Sequence, residues 1–253
     1  MAPATNGHET AAVSCEHCPL RRNETFRSFR EAELDFMRRF KQGELKVNRG
    51  ASILMEGAQN PHFYTVLSGW AFRYKTLEDG RRQIVNFAMP GDLVGLQGSL
   101  LGAMQHSVEA LSPMTLCVFD RNELFTLYQA HPELAYDVTW IASREECMLD
   151  ENLLTIGRRS ALERIAYLLA FIGSRSIASG LMKRSNAVTI GMTQQHVADT
   201  LGLSLVHTNK TLRKLVRRDL LRWGDGGCQV FDLKGLAELA GWEDTATEAR
   251  PFL

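Results

Sequence analysis

Thr193-Gln194-Gln195-His196-Val197-Ala198-Asp199-Thr200-Leu201-Gly202-Leu203-Ser204 decides how this 253-residue chain is read. Thr193 has the side chain of a helix N-cap, Gly202 the backbone freedom of a helix stop, and Ser204 caps again, so the stretch spells two helices around a tight turn. The second helix is expected from Leu205 to about Arg218, with Val206, Leu212 and Leu215 among its apolar positions and basic residues on the other side. Two short helices, a glycine-containing turn and an exposed basic second helix are the parts of a helix-turn-helix. Beyond it, Leu220 to Phe231 reads as two strands around a glycine turn, Gly224-Asp225-Gly226-Gly227, which is a wing.

Charge supports the same reading. The chain as a whole is neutral, with 29 basic and 29 acidic residues. From Gly157 onward, however, 14 Lys and Arg face 9 Asp and Glu, and between Leu203 and Trp223 six cations (Lys210, Arg213, Lys214, Arg217, Arg218, Arg222) face Asp219 alone. A basic C-terminal part suits a polyanion, here double-stranded DNA. The candidate contact residues are Thr193, Gln194 and Gln195, then Ser204, His207, Asn209, Lys210, Arg213, Lys214 and Arg217. Asn209 is expected to read adenine and Lys210 guanine, while Arg213, Lys214 and Arg217 meet phosphates and His207 is the next candidate reader. The competing reading is a sensor or adaptor module whose C-terminal domain binds protein.

Toward the N-terminus, Ser160-Ala161-Leu162-Glu163 has capping-box spacing and opens a helix expected to run to about Ile172, followed by a loop over Gly173 to Asn186 and a strand at Ala187–Ile190. Gly157 is expected to break the preceding helix and to form a hinge. That helix, from near Pro132, carries Leu134, Ile141 and Met148 at seven-residue intervals, with Val138, Glu145 and Asn152 as the companion row. The six positions together suggest a two-fold coiled-coil seam and a homodimer; a helix packed on its own domain is the alternative.

Between Glu44 and Asp120 the pattern changes to short apolar runs. Strands are expected at Ile53–Met55, Phe63–Ser68, Ala71–Thr76, Gln83–Ala88, Ser107–Leu111 and Thr115–Phe119, with Asp79-Gly80 as a hairpin turn. Many short strands at this spacing form an antiparallel barrel or roll. A helix is expected at Glu31 to Phe40. Residues 1–25 read as a loose arm holding Cys15 and Cys18.

The five cysteines, Cys15, Cys18, Cys117, Cys147 and Cys228, are an odd set that argues against a secreted disulfide framework. No apolar run approaches a membrane helix and Met1 to Val13 is no signal peptide, so a cytoplasmic protein without membrane contact is expected. His62, His106, His131, His196 and His207 have no metal-ligand or triad spacing, and no phosphate-cradling glycine loop or Gly-x-Ser-x-Gly occurs, so an enzyme is not expected.

From Cys15 to Trp242 the chain resembles the Crp/Fnr family of bacterial regulators. The carriers are Asp79-Gly80-Arg81-Arg82-Gln83-Ile84, Pro90-Gly91-Asp92-Leu93-Val94-Gly95, Gly157-Arg158-Arg159-Ser160-Ala161-Leu162-Glu163-Arg164 and Met192 to Ser204, in that order. The resemblance implies an α+β chain: an antiparallel β-roll of the cyclic-nucleotide-binding type, a long dimerisation helix and a C-terminal winged helix-turn-helix that recruits or blocks RNA polymerase. The expected division is an arm at 1–25, a β-roll sensor at 26–130, a dimerisation helix and hinge at 131–157, the DNA-binding domain at 158–245 and a tail at 246–253.

Departures from the family pattern matter as much. Cyclic-AMP binders of this kind place Glu after the roll glycine and an Arg-Ser or Arg-Thr pair a short loop later. Here Gly91 is followed by Asp92, and Leu101 to Ser107 holds no arginine, so cyclic AMP is not expected. Fnr-type sensors hold an iron–sulfur cluster on three N-terminal cysteines and one in the roll. Cys15, Cys18 and Cys117 match three of these places, but the remaining one is Glu24, which leaves two readings: a site completed by Glu24 or His17, or relic cysteines without a cofactor. In the recognition helix the family often shows Glu and Arg where this chain has Val206 and Lys210. A different half-site is expected. The effector stays open.

Overall fold

The structure is a computed structural model and describes residues 13–183, 187–243 and 249–253. Its N-terminal half is a roll of two four-stranded antiparallel sheets. One has the order β1 (Lys41–Val47), β8 (Met114–Asp120), β3 (His62–Ser68), β6 (Leu93–Val94); the other has β2 (Ser52–Leu54), β7 (Ser107–Ala110), β4 (Ala71–Thr76), β5 (Arg82–Ala88). All six expected strands are present to within one residue at each end. Gly80, at φ +84°, closes the turn between β4 and β5, where its N–H donates to the Leu77 carbonyl. Between the sheets lie Leu54, Val66, Val108, Leu116 and Met104, all buried.

Three helices cover the outer face of the first sheet, α1 (Glu31–Phe40), α3 (Leu124–Ala130) and the first half of α4 (Pro132–Arg158), while the short α2 (Leu96–Leu101) follows β6. Phe36, Phe40, Phe63, Phe119 and Leu127 pack there with Leu134, Val138 and Ile141 of α4. This corrects the expected dimer seam. Leu134 is 0% exposed and Val138 1%, so this apolar row is spent on the chain's own core. The rest of the row also turns inward: Glu145 pairs with Arg73, Met148 packs on the adjoining core, and Asn152 donates to the Val85 carbonyl at 3.0 Å. Periodicity marked the apolar face correctly, and the roll covers it.

Gly157 does not break the helix. It lies inside α4, which ends one residue later, at Arg158, because Arg159 adopts extended backbone and Ser160 caps the next helix. That helix, α5 (Ala161–Ala178), has the expected capping box but runs six residues past Ile172. Gly173 is a place of close approach, not a stop: a Cβ there would stand 2.4 Å from Leu233 Cδ2. The expected loop therefore starts after Ala178, and its end at Asn186 lies outside the described residues.

The C-terminal half continues with β9 (Val188–Ile190), α6 (Gln194–Leu201), α7 (Leu205–Val216), β10 (Leu221–Gly224), β11 (Gly227–Val230) and α8 (Leu233–Ala240). The three strands form one antiparallel sheet ordered β10-β11-β9. Every position of α5 from Ile165 to Gly173 is buried.

The arm is not loose where it is described. Cys15–His17 and Pro19–Arg22 are single 3₁₀ turns, and Leu20 and Phe26 are buried in the α1 layer. Residues 249–253 are equally anchored. Arg250 bridges to Phe26, Arg27 N–H donates to the Arg250 carbonyl at 2.9 Å, and Phe252 and Leu253 are buried against the same layer. A few apolar and aromatic residues, Leu20, Phe26 and Phe252, suffice to anchor both segments.

Candidate nucleic-acid interface

The two helices around Gly202 are built by local chemistry. Thr193 Oγ1 accepts from the His196 N–H at 3.2 Å while His196 Nδ1 accepts from the Thr193 N–H at 3.2 Å, a reciprocal cap. Gly202, at φ +63°, stops α6, and the Leu203 N–H returns to the Ala198 carbonyl at 3.1 Å. Ser204 Oγ then accepts from the His207 N–H at 3.2 Å and opens α7. Inward, α7 buries Thr208, Thr211, Leu212 and Leu215 at spacings of three, one and three residues.

The outward face carries the charge. Ser204, His207, Lys210, Arg213, Lys214 and Arg217 are exposed, and the neighbouring Arg218 adds to them. Beside them the wing presents Arg222, whose Nη2 donates to Gln229 Oε1 at 2.7 Å across β10 and β11. Two expected apolar and polar roles change. Val206 is not an inward position: it is 80% exposed, because the inward row at 208, 211, 212 and 215 lies on the opposite side of the helix. Asn209 is half-buried, and its Nδ2 donates to Gln194 Oε1 at 3.0 Å, tying α7 to α6. Gln195 is likewise engaged, donating to Asp199 Oδ1 at 2.6 Å, whereas Thr193 is exposed with its hydroxyl in the cap.

The first helix of the pair rests on the roll. Arg82, on the hairpin strand β5, stacks over Phe72 and Tyr74 and reaches Asp199 of α6 at 3.3 Å; Gln83 Nε2 donates to the Thr200 carbonyl at 2.8 Å. His196 packs on the Phe72 ring at 5.3 Å. Thus Arg82-Gln83-Ile84, singled out as a sequence motif, is the platform that receives α6. A second link joins Asp92 to Arg175 of α5 at 2.6 Å and to Arg250 at 2.7 Å.

Cys15, Cys18 and Cys117 do come together, lining one small cavity with Lys41, Phe119, Phe252 and Leu253. An iron–sulfur cluster does not fit it. The free space is about 20 Å³, the volume of about one water. Burial raises all three thiols, Cys117 to about 12, despite the nearby Lys41 ammonium. Neither proposed substitute ligand is in the lining: Glu24 is exposed, and His17 sits outside with Nδ1 bonded to Ser14 Oγ at 2.9 Å. Among the described residues no group of three or more His, Cys, Asp and Glu side chains is arranged to hold a metal ion. Cys147 is exposed and Cys228 is buried, and neither lines this cavity.

Comparison with known proteins agrees with this architecture. Residues 44–131 match the family model of the cyclic nucleotide-binding domain, and residues 163–239 match that of the Crp-like helix-turn-helix domain. The nitrogen fixation regulation protein FixK of Bradyrhizobium diazoefficiens is 32% identical over 237 residues, spanning 93% of this chain and 95% of the relative. The transcriptional activator protein FnrL of Cereibacter sphaeroides is 28% identical over 239 residues, spanning 92% and 95%. Among solved structures, FixK2 from Bradyrhizobium japonicum shares the fold with a TM-score of 0.69 at 24% identity, over 79% of this chain and 98% of that one. With a roll, a long helix and a winged helix-turn-helix in this order, and relatives matched nearly end to end, the chain belongs to the Crp/Fnr family of transcription regulators.

Proposed function

We propose that this regulator is a cytoplasmic homodimer that binds promoter DNA sequence-specifically, lays α7 of each protomer in a major groove, and recruits or blocks RNA polymerase there. The observation that carries the reading is the exposed basic stripe of α7 above a buried inner face, flanked by a wing that presents Arg222. Residues 158–245 form the DNA-binding part and residues 26–130 the part that receives a signal, with 131–157 between them.

The dimer contact belongs to the second half of α4. Leu149, Leu153 and Leu154 are 39%, 71% and 48% exposed, and Leu149 and Leu153 line an apolar groove of about 160 Å³ with Ile156 and Leu201. Positions 149, 153 and 156 have the four-and-three spacing of a helix–helix seam. Two-fold pairing there would place two recognition helices on one duplex.

The signal is proposed to be neither cyclic AMP nor one sensed by a resident iron–sulfur cluster. Met104 fills the roll beside Gly98, where a Cβ would stand 2.9 Å from its sulfur, and Asp92 is committed to Arg175 and Arg250. The test is chromosome-wide mapping of bound DNA together with sedimentation of the protein on a recovered site. Occupancy at promoters and two protomers per duplex are expected. Binding without promoter enrichment, or one protomer per site, would overturn the reading.

A further inference from the structure

The apolar side chain at the head of the basic stripe has no structural employment. Val206 is the most exposed large hydrophobic residue among those described, at 80%, and it stands in the first turn of α7. A β-branched residue weakens a helix slightly, and here no burial offsets that cost. Its neighbour Leu205 lies seven residues before the buried Leu212 and so borders the inner face; Val206 points away from it.

Val206 shares its side of the helix with cations. At 100° per residue, Val206, Lys210, Arg213 and Arg217 fall within an arc of about 60°, so one stripe reads valine, lysine, arginine, arginine from the N-terminus onward. The first turns of a recognition helix meet base edges, and later turns meet phosphates. The valine is therefore at the floor of the groove. The major-groove edges of the four base pairs present polar donors and acceptors and a single alkyl group, the thymine methyl.

We infer that Val206 is a specificity-determining residue that selects a T·A pair in each half-site by packing on the thymine methyl, an inference resting on the reading of α7 as the groove-bound helix. Four residues of helix rise about 6 Å, and base pairs are about 3.4 Å apart, so this thymine lies one or two pairs from the guanine read by Lys210. Neither a polar side chain nor an acid at this position would make the same choice.

The test uses the full-length protein and a duplex that it has itself selected from random DNA. Each thymine is replaced singly by deoxyuridine, which removes only the methyl, and affinity is measured by fluorescence anisotropy. At one position in each half-site the replacement should weaken the wild type about fourfold, as expected for one buried methyl. Val206→Ser should be indifferent to the same replacement, and Val206→Thr, which keeps one methyl, should retain part of the response; all three proteins should unfold at the same temperature. A wild type that selects a sequence but ignores every deoxyuridine, or a Val206→Ser variant that still responds, would overturn the inference and leave the groove reading intact. Failure of the wild type to select any sequence would overturn both.

Discussion

Asp92 Oδ2 accepts a hydrogen bond from Arg175 Nη2 at 2.6 Å, which fastens the roll to α5 of the DNA-binding half. Arg250 binds the other oxygen at 2.7 Å, and Met89 N–H donates to Oδ2 at 2.7 Å. Burial alone would raise this carboxyl; the two guanidinium groups and these hydrogen bonds outweigh it and hold it at about 2. A carboxyl held below its ordinary value of 3.8 stabilises the fold fully above about pH 4 and loses that contribution between about pH 4 and 2. The shift corresponds to about 2 kcal/mol. Asp92→Asn leaves Arg175 and Arg250 largely buried without their anion and should cost about 3 kcal/mol. Urea denaturation across pH should show both the loss and a flatter acid limb in the variant.

His106 gives a second acid response, at higher pH. Its imidazole is buried, Nε2 has no hydrogen-bond partner, and burial followed by the nearby Arg73 and Lys75 charges lowers its pKa to about 3. The unfolded chain takes up this proton below about pH 6.5 and the folded chain does not, so stability falls with decreasing pH by about 1.4 kcal/mol per unit. Between pH 6.5 and 5 the expected loss is about 2 kcal/mol. His106→Gln should lack this slope in the same denaturation series, whatever its stability at pH 8.

The two faces of α4 separate folding from assembly. Ile141 is 7% exposed in the α1–α3–α4 layer, so Ile141→Ala should lower stability by about 2–5 kcal/mol. Leu153 is 71% exposed in the protomer, so Leu153→Lys should keep the folded circular-dichroism spectrum and lose the concentration dependence of thermal unfolding, while shifting sedimentation to a monomer and abolishing high-affinity operator binding. A dimeric Leu153→Lys protein would place the contact elsewhere.

Much of this was legible in the sequence because the decisive signals are local. Caps at Thr193, Ser160 and Ser204, the stop at Gly202 and the Asp79-Gly80 turn act within a few residues, and each stands where its chemistry requires. What escaped depends on distant partners. Lys41–Val47 is a strand by pairing with β8 although its own pattern is polar, and Leu93–Val94 is too short to signal itself. Gly173 resembles a helix stop until Leu233 is seen beside it. The heptad row of α4 showed an apolar face but not that the roll occupies it. In α7, hydropathy sent Val206 inward; helical angles measured from Leu212 and Leu215 would have sent it out.

Within the interface, the side chains should divide by partner. Lys214→Ala should weaken binding to all sequences alike and reduce the slope of affinity against salt by about one ion. Asn209 is bonded to Gln194, so Asn209→Ala should lower stability by about 1 kcal/mol in addition to any change in base preference. Anisotropy titrations at several salt concentrations, beside thermal unfolding, distinguish the two.

Selection of binding sites from random duplex DNA tests the central claim most directly. The wild type should enrich two inverted half-sites whose centres are about one helical turn apart, and Lys210→Ala should relax one base pair in each while leaving the rest of the motif intact, a discrimination of about 1–3 kcal/mol. No enrichment by the wild type, or an identical motif from Lys210→Ala, would contradict an account in which the exposed stripe of α7 reads the major groove.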